Sequence, residues 1–208
     1  MAIKIPATKT NLLKTKGILS LCKEGYQLLD EKRRILLMEI SSITKVIDEL
    51  QENVNISLSD AYAAVEEAFI AMGKSRVRNL AAGIDTEIEI NITEKKMMGA
   101  SIPSISLNLK ENPPFCSPLG VHPAFDRADI LLKEAIKHIA ELAEKKIALQ
   151  RLEKEFQRTT KKVNALEKIH IPYYNEVLKT ITDRLDEESR EAFSTLKEIK
   201  KKLALRES

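Results

Sequence analysis

LSLCKEGYQLLDEKRRILLMEISSITKVIDELQENV, the stretch from Leu19 to Val54, places a core-type residue alternately three and four positions apart. One row runs Leu19, Tyr26, Arg33, Ile40, Ile47 and Val54; the other runs Cys22, Leu29, Leu36, Ile43 and Leu50. A repeat averaging about 3.5 residues lets two helices supercoil with a buried seam, whereas a globular helix carries a broader, drifting stripe. The expectation is a rod, which suits connection or transmission better than catalysis. Arg33 is the one interruption. A charge on an apolar seam costs stability unless it is paired, so Arg33 reads either as a register-setting or paired residue, or as a contact to a neighbouring protein.

The other half of the chain repeats the pattern. Ala135, Leu142, Leu149, Phe156, Val163, His170 and Val177 recur every seven residues, and Leu152, Thr159, Leu166 and Tyr173 fall three positions after four of them. No glycine occurs from Ala124 to Ser208. Pro172 lies inside this second pattern, where its missing N–H is expected to bend or interrupt the helix. His170 takes a seam position, where a packed or register-setting polar residue is the expectation.

Local signals set the boundaries. Thr8 or Thr10, after Pro6, can cap the first helix. That helix is expected to loosen at Asn53, Asn55 and Ser57, and Ser57 with Asp60 resembles a capping arrangement that restarts it through Ala61, Val65, Ala68, Met72 and Leu80 to Gly83. At about 1.5 Å per residue the ascending arm would reach on the order of 100 Å and the descending one roughly 120 Å. Between the arms the period changes to two. Ile84, Ile88, Ile90 and Ile92 alternate with polar residues, and beyond a turn region with Gly99 and Pro103, so do Ile105, Leu107 and Leu109. This predicts a β-hairpin whose apolar face packs on the helices or on another chain. Lys110 to Pro123 reads as an irregular Pro-rich loop.

The predicted fold is therefore mainly α: a long antiparallel two-helix coiled coil made by the terminal arms, with a short helix and a small β-hairpin inserted. The expected divisions are an N-terminal arm over 1–57, a central insertion over 58–123 and a C-terminal arm over 124–208. Composition agrees. The 208 residues are 31% charged and only 4% aromatic, without Trp, and the net charge is +3. Mixed charge of this kind describes solvated helix faces, not a polyanion-binding surface or a ring-rich core.

Candidate chemistry is sparse. His122, His138 and His170 are scattered, without a Cys, Asp or Glu at metal-ligand spacing, and no nucleophile–base set or Gly-rich phosphate loop occurs, so no catalytic, cofactor or metal site is expected. Cys22 reads as a small buried apolar residue and Cys116 as a loop residue, not as a disulfide pair. The basic tail Lys197, Lys200, Lys201, Lys202 and Arg206 complements a helix C-terminus; without aromatic partners it is a poor nucleic-acid surface. No stretch has signal-peptide or membrane-spanning length, so a soluble, cytosolic protein is expected.

Three stretches go beyond periodicity. Asn11-Leu12-Leu13 followed by Gly25-Tyr26-Gln27-Leu28-Leu29-Asp30-Glu31-Lys32-Arg33-Arg34-Ile35-Leu36 resembles the N-terminal signature of the D subunit of the V-type (archaeal and bacterial A/V-type) ATPases. Val163-Asn164-Ala165-Leu166-Glu167-Lys168-Ile169-His170-Ile171-Pro172, with Arg184 to Glu191 and Leu196 to Lys200 beyond it, resembles that family's C-terminal signature. Met97-Met98-Gly99-Ala100-Ser101-Ile102-Pro103 is similar to its central motif. Gly25, Lys32, Asn164, Glu167, Pro172 and Arg190 stand at motif positions. Tyr26 and Arg34 depart from the pattern, the latter where an acid is usual.

The resemblance implies a non-catalytic rotor shaft, cytoplasmic and held at the membrane only through its complex. Its paired arms would enter the hexameric ring of catalytic and non-catalytic nucleotide-binding subunits (A and B). Its insertion would meet the small F subunit of the stalk and the funnel-shaped subunit that couples to the membrane ring. ATP would turn over on other subunits, coupled through rotation to ion transport. Two other readings compete: a prefoldin-like chaperone, which also joins coiled-coil arms to hairpins, and a helical arm that guides RNA.

Overall fold

Thr8 opens the first helix. Its Oγ1 accepts from the Asn11 backbone N–H at 3.2 Å, satisfying one of the donors a helix start leaves unpaired. In the computed structural model, which describes residues 6–83, 88–109 and 121–204 (the last two by backbone alone), α1 then runs Lys9–Met72. It is followed by α2 (Lys74–Ala82), β1 (Ile88–Met97), β2 (Ala100–Leu109), α3 (Pro123–Ala165), a π turn (Leu166–His170) and α4 (Ile171–Ala204). The mainly helical architecture with long N- and C-terminal helices packed together and a two-stranded hairpin between them is the expected one. Ile84, Cys116, Arg206 and the loop up to residue 120 lie outside the described residues.

The chain forms two compact units, Ile35–Phe156, and Met1–Arg34 with Gln157–Ser208. Within Ile35–Phe156, rising positions on α1 meet falling positions on α3. Leu36 packs with Leu152, Ile47 and Val54 pack with Leu142, and Ala68 packs with Ala124 and Phe125. That order makes the pair antiparallel.

Three local expectations are corrected or given their form. The first helix does not loosen at Asn53 to Ser57, nor does Ser57 cap a new one; α1 continues through them. Each Asn or Ser costs about 0.5 kcal/mol of helix propensity, which the burial of Val54 and the packing of Leu58 on the Ile47–Leu142 cluster outweigh. Gln51 also donates to Asn55 at 3.3 Å, one turn on. The break falls at Gly73 instead, whose φ of 81° and ψ of 144° suit almost no other residue. Gly83 ends α2, as expected.

The hairpin correction concerns its faces. Met98 and Gly99, at φ 52° and 85°, form a tight two-residue turn, and the strands pair from Met97↔Ala100 to Ile88↔Leu109. Pro103 belongs to β2, not to the turn. It faces Glu94 at a non-hydrogen-bonded position, where a missing N–H costs no ladder bond. Ala100 and Ile102 pack on Leu36 and Leu152, yet they point to the face opposite Ile88, Ile90 and Ile92. Those three isoleucines, expected to pack on the helices or on another chain, do not cover the helices and are exposed in this chain.

Pro172 gives the third. The α-helix is interrupted locally, as expected, and the interruption takes the form of a five-residue π turn just before the proline, not a break in the chain's helical path. The Ile171 N–H donates to the Leu166 carbonyl, a five-residue step, and both flanking residues keep right-handed helical dihedrals. Lys168, which an ordinary helix would pair with residue 172, sits inside this wider turn. The step carries the buried side of the helix from Leu166 to Ile171, both half-buried, while Glu167, Lys168, Ile169 and His170 face solvent.

Candidate functional site

Burial along the helices shows which seam positions face inward. In the unit Ile35–Phe156, Leu36 and Leu152 are each 0% exposed, Ile47 is buried, and Ile40, Ile43, Leu50, Leu149 and Phe156 are half-buried around them. In the other unit, Leu19 and Val163 are buried. Cys22, Tyr26, Leu29, Arg33, Leu166, Tyr173 and Val177 are half-buried there. His170 departs from the packed position expected of it, because the π turn rotates it outward. Tyr173 stacks edge-on against Tyr174, with ring centres 5.2 Å apart.

Arg33 finds its partner on its own helix. Its Nη2 lies 2.5 Å from Asp30 Oδ1, while Arg34 Nη2 lies 2.9 Å from Oδ2. Asp30 is buried, and the angle at Oδ1 gives close charge contact without a well-directed hydrogen bond. The i, i+3 and i, i+4 spacing, visible in the sequence, is the signal that could have singled out Asp30. Arg34, where the resemblance anticipated an acid, completes this pair of cations. Of the motif positions, Gly25 and Lys32 are half-buried, whereas Asn164, Glu167, Pro172 and Arg190 are exposed, Arg190 lying 3.9 Å from Glu187.

The hairpin is fastened by polar groups that periodicity did not reveal. Across from Ile92, Ile105 has an N–H that points away from β1, and it donates to Glu144 Oε2 of α3 at 2.7 Å. Two turns further along α3, Arg151 donates to the Ser101 carbonyl at 2.6 Å and to Glu94 at 3.3 Å. Ser101 Oγ donates to the other Glu94 oxygen at 2.7 Å. The Ser101 hydroxyl, and then Arg151, hold the Glu94 carboxyl below its ordinary pKa of 4.5. For Glu144, burial pushes upward, but the Ile105 N–H and Lys145 together outweigh it, and the pKa is again lowered. β2 thus leans on α3, and β1 is the outer strand.

Among the described residues, no three His, Cys, Asp or Glu side chains converge as a metal-binding group, and no helix is long and apolar enough to cross a membrane. The charged groups around the hairpin fasten one element to another. The class this defines is a helical scaffold: long antiparallel helices that carry a β-hairpin clamped along one side. Residues 11–201 match the family model for the D subunit of ATP synthase, and the chain belongs to that family. Its relatives include a V-type ATP synthase D subunit of Thermotoga neapolitana, 30% identical over 97% of this chain and 100% of that protein. An A-type ATP synthase D subunit of Pyrococcus furiosus is 33% identical over 99% and 98%. Another, of Methanopyrus kandleri, is 33% identical over 93% and 84%. The prefoldin-like and RNA-guiding alternatives give way to this membership.

Proposed function

We propose that this chain is the central-stalk rotor of a V/A-type ATPase or ATP synthase, a non-catalytic component that couples ATP turnover to ion transport by rotating. The family match across both long helices carries this reading, and the names of the relatives support it. The arms 1–57 and 124–208 enter the ring of A and B subunits. The insertion 58–123 remains outside, with the stalk's F subunit and the membrane-ring coupling subunit. The complex holds the chain at the cytoplasmic face of the membrane.

The physical role follows from packing. A shaft transmits torque only if its helices do not slide or shear, and the side chains of the two rows that are buried, Leu19, Leu36, Ile47, Leu152 and Val163, resist this. It must also present unequal faces, so that each orientation biases the members of the ring differently; a ligand or partner shifts an equilibrium only through differential contact. The π turn and its proline, with Asn164, Glu167 and Pro172 exposed around it, supply one such irregularity. The test is ATP hydrolysis by a reconstituted A/B ring with and without the chain. A several-fold rise on adding it is expected, and equal turnover in both samples overturns the proposal.

A further inference from the structure

Where α1 ends, the packing of small residues leaves a hole. A cavity of about 380 Å³ lies within the unit Ile35–Phe156, walled by Phe69 of α1, Val77 and Ala81 of α2, and Phe125 and Leu132 of α3. It exists because Gly73 turns α2 away from the axis of α1, while Ala68 and Ala128 fill little of the angle. The volume falls in the range that takes a small ligand or one or two large apolar side chains.

The surroundings are asymmetric in charge. Lys74 and Arg78 line the cavity, and Arg76 stands between them in sequence. All three are exposed, and α2 carries no acid. The acid that also lines the cavity, Asp129, is engaged by Lys133 at 2.5 Å. Ile70, the residue after Phe69 on α1, is 88% exposed, the most of any large apolar residue described. A cavity for a small anion would need one cation at its mouth. Here two exposed cations one helical turn apart, Lys74 and Arg78, flank one apolar cavity, which is the footprint of a protein segment.

We infer that this cavity and the α2 face beside it receive an amphipathic helix of a partner protein, which inserts a large apolar side chain between Phe69 and Leu132 and sets Asp or Glu against Lys74 and Arg78. The inference rests on the reading that the chain works within a multisubunit assembly. Charge complementarity fixes the partner's sign, and the cavity fixes the size of its anchor. The basic groups select and steer the partner, and the buried anchor holds it.

The experiment places photoreactive benzoylphenylalanine at Ala81 in the chain assembled with its ring and stalk subunits. After irradiation, mass spectrometry identifies the crosslinked peptide. Ala81, Lys74 and Arg78 are exposed, so circular dichroism melts of the variants should match that of the parent. One partner peptide is expected, pairing a Leu, Ile, Met or Phe with Asp or Glu one helical turn away. Arg78→Glu should cut its yield at least five-fold, and replacing the identified acid with Lys should restore it. A basic or wholly polar peptide, a crosslink returning only to this chain, or a yield unmoved by Arg78→Glu overturns the inference. Ring hydrolysis is scored in the same preparations. Failure of the rotor reading shows there as turnover indifferent to the chain, whereas failure of the docking inference shows only in the crosslink.

Discussion

Replacing Leu152 with Ala strikes the point where both long helices and the hairpin meet. Leu152 is 0% exposed and shares its cluster with Leu36 and Ala100, flanked by Ile40, Ile43, Ile102 and Phe156. Removing a fully buried leucine side chain loses its transfer free energy and leaves a void that neighbours on three elements close only in part. The cost is about 3 kcal/mol, a roughly 150-fold change in the folding equilibrium. For a chain of this size each kcal/mol moves Tm by about 2–4 °C, so a fall of roughly 6–12 °C is expected. The assay is a calorimetric or circular dichroism melt paired with the same substitution at Leu28, which is 68% exposed on α1. Leu28→Ala should stay within about 0.5 kcal/mol of the parent. Hydrogen exchange adds the local readout: the β2 amides should lose protection in Leu152→Ala but keep it in Leu28→Ala. Equal melts for the two variants would refute the reasoning, since burial would then not govern stability.

Three further outcomes follow from single groups. Gly73→Ala meets no atom within 4 Å, so its cost is backbone strain alone, about 1–3 kcal/mol by thermal melt. Met98→Gly relieves a side chain held at φ 52° and should stabilise the hairpin by roughly 1 kcal/mol, read as slower exchange of the Ile102 and Ser104 amides. Glu94 and Glu144 both have depressed pKa values in the fold, so their contribution is complete above the ordinary 4.5 and is lost as pH falls through the folded values. The Ile105 amide proton should therefore move upfield with a midpoint below 4.5, and Glu144→Gln should abolish that titration.

How much of this was legible depended on whether the signal was local. The 3–4 spacing needs only neighbouring residues, and it marked Leu36 and Leu152, the most deeply buried leucines. Alternation gave the strands for the same reason. It could not say which face would meet the helices, because Ala100 and Ile102 make that contact from the side with fewer large apolar residues. The helix through Asn53 to Ser57 was hidden because its support is distant: Leu58 and Val54 rest on Leu142. Pro172 announced an irregularity, but its form depends on helix phase, which sequence spacing alone does not set. Glu144 and Arg151 looked like ordinary surface charges until the hairpin brought Ile105 and Ser101 to them. Asp30 was within reach, since both its arginines lie one turn away on the same helix.

The most direct measurement fixes the A/B ring to a surface, attaches a bead to the hairpin of this chain at Thr93, and follows the bead while ATP is supplied. Thr93 is exposed on the outer strand. Sustained rotation in one direction, at a rate that rises with ATP and stops without it, is the predicted result. A bead that only jitters while the ring hydrolyses ATP at full rate would contradict the account.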